Sequence, residues 1–141
     1  MPRKDFVHGD IRTISNEQLE RTRDAMREVV ANHLPGTDAV ITFEDRYPPM
    51  APTEGNKRLE ALLSAVNEDL GRGYMPTLDP LKRGAADVSF VAPYSDSLAG
   101  MGPVGSGGHT PDERLDLTSM PTAIKRTAIF LYRLISEDKS E

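Results

Sequence analysis

The stretch Ser15–Glu44, SNEQLERTRDAMREVVANHLPGTDAVITFE, decides the fold, because it reads as a helix followed by a strand. Ser15 and Gln18 have the spacing of a capping box, in which hydroxyl and amide each satisfy an orphan backbone N–H. Leu19, Met26, Val29 and Val30 make the apolar stripe of the helix that starts there, and Pro35-Gly36 ends it. Ala39–Glu44, AVITFE, is rich in β-formers and reads as a strand. Toward the N-terminus, Asp5–Thr13 reads as a shorter strand. Val7 and Ile11 share a face with Gly9 between them, while His8, Asp10 and Arg12 point the other way. The first third of the chain is therefore expected as β-α-β.

Beyond it lies YPPMAPTEGN, residues 47–56, whose clustered prolines make a stiff, extended hinge and mark a domain boundary. A helix is expected over Thr53–Leu70, with Leu59, Leu62, Leu63, Val66 and Leu70 on one face. Gly71 suits the left-handed position that follows it. Arg83–Ala92 is expected to open as a turn and become a short helix, and Ser97–Val104 to form a brief buried strand. Thr118 or Ser119 caps the last helix, with Pro121 tolerated in its first turn. Ile124, Ala128, Leu131 and Ile135 mark that helix's buried face, widened by Phe130 and Leu134.

Composition sets the limits. A chain of 141 residues is one domain by length, or parts of two if it belongs to something longer. With 38% hydrophobic and 28% charged residues it suits a soluble globular protein. The net charge of −5 comes with no basic stripe, so neither nucleic acid nor an anionic membrane surface is an expected partner. The absence of cysteine excludes a disulfide scaffold and any thiolate metal site. No signal-peptide core and no bilayer-length apolar run is present. The compartment stays open, with the cytoplasm favoured.

Chemistry narrows to the histidines. His8 in a strand and His33 near a helix end have no partner at ligand spacing, and read as surface or satisfied polar residues. His109 ends the glycine run GSGGHTPDE, where the backbone can approach something closely, and Asp112 and Glu113 can orient an imidazole from behind. A polar loop ending in histidine is also an ordinary surface feature. The run lacks the Gly-Lys-Ser/Thr of a phosphate loop. Gly100–Gly105 matches G-x-G-x-x-G, but its proline argues against a dinucleotide turn. No G-x-S-x-G elbow presents a serine nucleophile.

Arg83–Leu117, RGAADVSFVAPYSDSLAGMGPVGSGGHTPDERLDL, resembles the C-terminal signature of the zinc metallopeptidase and deacylase family that includes glutamate carboxypeptidase, acetylornithine deacetylase and succinyl-diaminopimelate desuccinylase. Gly9–Thr13, GDIRT, and Arg46–Asn56, RYPPMAPTEGN, are similar to the strand and exit hinge of that family's lid, or dimerisation, domain. The resemblance implies an incomplete α/β fold, an α+β lid portion followed by the C-terminal part of an α/β zinc-peptidase catalytic domain. Residues 1–47 would be the second half of a β-α-β lid, and residues 48–141 the C-terminal part of the α/β catalytic domain.

The implied activity is hydrolysis of an amide bond next to a free carboxylate, in a peptide or N-acyl amino acid, with two zinc ions in the intact family. His109 matches a metal ligand. The family's substrate-carboxylate arginine falls at Tyr47, with Arg46 just before it, and Arg46 is taken for that role. Gly84 and Ala85 would line the substrate pocket with backbone, while Asp87, Asp112 and Glu113 would support the loop from a second layer. The remaining ligands and the general base belong to the family's N-terminal half, and the Glu-Glu pair is absent from this chain. A single imidazole cannot hold zinc tightly. The chain is therefore expected to need the missing N-terminal half for activity, and alone to self-associate as a homo-oligomer or be marginally stable. The alternative is a non-catalytic oligomerisation module or truncated remnant.

Overall fold

A computed structural model describes residues 4–80, 82 and 86–138, the side chains of 137 and 138 excepted. Among these residues the chain is mostly helical with one small two-stranded antiparallel sheet, an α+β arrangement. It divides into two compact units, Met1–Pro52 with Leu78–Pro93, and Thr53–Thr77 with Tyr94–Glu141. No helix among the described residues is long and apolar enough to cross a membrane.

In the first unit, α1 spans Asn16–Ala31. Ser15 Oγ accepts from the Gln18 N–H at 3.1 Å, and Gln18 Oε1 accepts from the Ile14 N–H at 2.9 Å. The box thus closes one residue earlier than the usual reciprocal pair. The helix stops at Ala31, short of Pro35, because Asn32 turns its own amides back onto Val29 and Glu28. No residue of α1 is buried, and Val29, expected on the apolar stripe, is largely exposed. Cations do the joining instead. Arg23 and Arg27 lie over the Phe43 ring, at 5.4 and 5.1 Å, and Arg23 also pairs with Glu20 and Asp45. The short helix α2, Val88–Val91, falls within the expected 83–92 region and buries Ser89.

The expected strands Asp5–Thr13 and Ala39–Glu44 are corrected. Both run irregular and outside any sheet. Their β-rich composition describes residues that fit a pleated surface, but a strand forms only when its N–H and C=O groups meet a neighbour. Among the described residues neither segment has one, so the expected β-α-β layering is absent there, while the coarse α+β character expected of the lid portion is what the described residues show.

In the second unit, α3 spans Glu54–Asp69. Thr53 Oγ1 caps it by accepting from the Asn56 N–H at 3.1 Å. Gly71, at φ 71°, ends it as expected. The Gly71 N–H donates to Glu68 and the Arg72 N–H to Asn67, the paired bonds of a Schellman motif. The last helix, α4, spans Met120–Asp138 and packs on α3. Leu63, Val66 and Phe130 form the core, with Leu59, Leu62, Leu134 and Met101 packed around it. Three polar residues of α3 hold the loops to this core. Asn56 Oδ1 accepts from the Ser97 N–H at 2.7 Å, Ser64 Oγ from the Met75 N–H at 3.0 Å, and Asn67 Nδ2 donates to the Gly73 carbonyl at 2.9 Å.

Three further expectations are corrected here. Ser97–Val104 is a loop, and the strands follow it: β1, Gly105–Ser106, pairs with β2, Arg114–Leu115. The cap before α4 is Asp116, whose carboxylate accepts from the Thr118 amide and hydroxyl at 2.9 and 2.6 Å, with a single 3-10 turn over Leu117–Ser119 before the helix. The buried face of α4 is Ala123 and Phe130, while Ile124, Ala128, Leu131 and Ile135 are exposed. Two apolar stripes run along this helix, and α3 covers only one of them.

Candidate functional site

The loop between β1 and β2 holds His109. Gly107 has φ 66°, and a Cβ there would lie 2.7 Å from the Asp112 carbonyl oxygen, so the loop closes only around glycine. Thr110 bridges the turn: its hydroxyl donates to the Gly107 carbonyl at 2.7 Å and accepts from the Asp112 N–H at 3.2 Å. The Glu113 N–H then returns to the Thr110 carbonyl at 3.1 Å. Within this frame His109 has φ 64°, the only non-glycine positive φ among the described residues. Backbone of that kind costs an L-residue about 1–2 kcal/mol and concentrates at functional turns.

Glu113 reaches His109 through the main chain: its Oε2 accepts from the His109 N–H at 3.3 Å. The imidazole itself makes no hydrogen bond among the described residues, and His109, Asp112 and Glu113 are all exposed. The arrangement holds the loop backbone and leaves both ring nitrogens available.

Arg46 and Asp87 belong to the first unit. Arg46 is exposed and donates through Nε to Glu44 at 3.3 Å. It lines a groove of about 310 Å³ with Asn16, Arg23, Tyr47 and Phe90. Asp87 accepts from the Tyr47 hydroxyl at 3.0 Å, and the Tyr47 ring lies 5.4 Å from that of Phe90. The hydrogen bond to the Asp87 carboxylate, then its charge, raises the Tyr47 phenol above its ordinary pKa. Tyr47, Asp87 and Phe90 therefore form a local cluster that the sequence reading did not assemble; the tyrosine beside the hinge prolines was the available signal. Gly84 and Ala85 lie outside the described residues.

Arg23 is held as a cation, its pKa raised first by the hydrogen bond to Asp45. With Glu20 and Asp45 both engaging Arg23, the groove beside Arg46 is not a simple anion trap. Among the described residues no three of His, Asp or Glu converge on a point that could hold a metal. His8, expected to have no partner at ligand spacing, does have Asp10 two residues on, but His8, Gly9 and Asp10 are all exposed in an irregular segment. The described donors do not make up a zinc site.

No protein-family model, no curated protein and no solved structure matches the chain.

Proposed function

We propose that this chain is the C-terminal segment of a zinc-dependent metallopeptidase or amidohydrolase, of carboxypeptidase or deacylase type. It would act on an amide bond next to a free carboxylate, in a peptide or N-acyl amino acid. Its activity requires an N-terminal complement that supplies the other metal ligands and the general base. His109 is the ligand this segment contributes. Glu113 and Asp112 keep its loop in shape, and Arg46 is the candidate contact for the substrate carboxylate.

The observation that carries this reading is the backbone of His109: an imidazole presented on a positive-φ turn, braced by Gly107, Thr110 and Glu113, with both ring nitrogens unengaged. The alternative is a non-catalytic oligomerisation module, favoured by the uncovered apolar stripe of α4.

A polypeptide carrying the proposed N-terminal complement, supplied in trans, separates the two. On the first reading the mixture retains zinc after dialysis against a mild chelator and hydrolyses an acyl-amino acid, while this chain alone does neither. His109→Ala then abolishes the activity of the mixture. Stoichiometric zinc retained by the isolated chain, or full activity of the mixture carrying His109→Ala, overturns it.

A further inference from the structure

We draw no further inference here: the strongest candidate, the exposed apolar patch of α4 along Ile124, Ala128, Leu131 and Ile135, carries none because nothing in the structure shows what covers it.

Discussion

At His109 the chain holds an L-residue where glycine is the cheaper choice. Its φ of 64° follows a glycine run that would have accommodated the turn without an imidazole. If the histidine is kept for its ring, its removal should relieve backbone strain. His109→Gly is expected to stabilise the hairpin by about 1 kcal/mol. The readout is amide exchange at Glu113 and Asp116, whose N–H groups are tied to Thr110 and Val104, slowed roughly fivefold at that energy. Gly107→Ala should do the reverse, since its methyl meets the Asp112 carbonyl. Equal exchange in wild type and His109→Gly would show that the turn carries no strain. Single positions were legible in the sequence where the physics is local. The Ser15 cap and the Gly71 terminator depend on neighbours a few residues away. Asn56, Ser64 and Asn67 were not legible as buried anchors, because their partners lie at Ser97, Met75 and Gly73, and only packing brings those together. Loss of the Asn56 carboxamide would strand the buried Ser97 N–H, at about 1–3 kcal/mol.

At the level of elements, the sequence located the long helices but misjudged what surrounds them. Periodicity finds a stripe without telling which of two stripes is covered, and α4 carries two. Composition finds β-formers without supplying a neighbouring strand, which Asp5–Thr13 and Ala39–Glu44 lack. The start of α4 shows how a cap couples to pH. Hydrogen bonds, first from the Thr118 hydroxyl and then from its amide, lower the Asp116 pKa. A carboxyl whose folded pKa is depressed binds fewer protons in the native state than in the unfolded one. Its stabilisation is therefore complete above the unfolded value, about 4, and is lost as pH falls through the lowered folded value. The helical signal of α4 should accordingly weaken on acidification below about pH 4. In Asp116→Asn this acid-dependent component should be absent, because the amide does not titrate. A wild-type acid limb identical to that of Asp116→Asn would refute the assignment of this carboxylate as the cap.

For the whole molecule, the two units are unequally furnished. The second has Leu63, Val66 and Phe130 buried between two helices. The first has a sixteen-residue helix with no buried residue and is joined largely by guanidinium groups over Phe43 and to exposed carboxylates. A helix of that length without tertiary burial is marginal in water, and exposed ion pairs contribute about 0–1 kcal/mol each. The stability of the chain should therefore be graded rather than uniform. Native-state hydrogen exchange followed by mass spectrometry is expected to find α1 amides opening freely, within about 1–2 kcal/mol of unprotected, while α3 and the buried side of α4 stay protected. Added salt should loosen α1 further, since its attachments are partly electrostatic. Phe130→Ala, at about 3–5 kcal/mol for an emptied core site, should erase protection in α3 and α4 together and leave α1 exchange unchanged. Uniform protection across α1, α3 and α4 would mean that something beyond the contacts described holds the first unit.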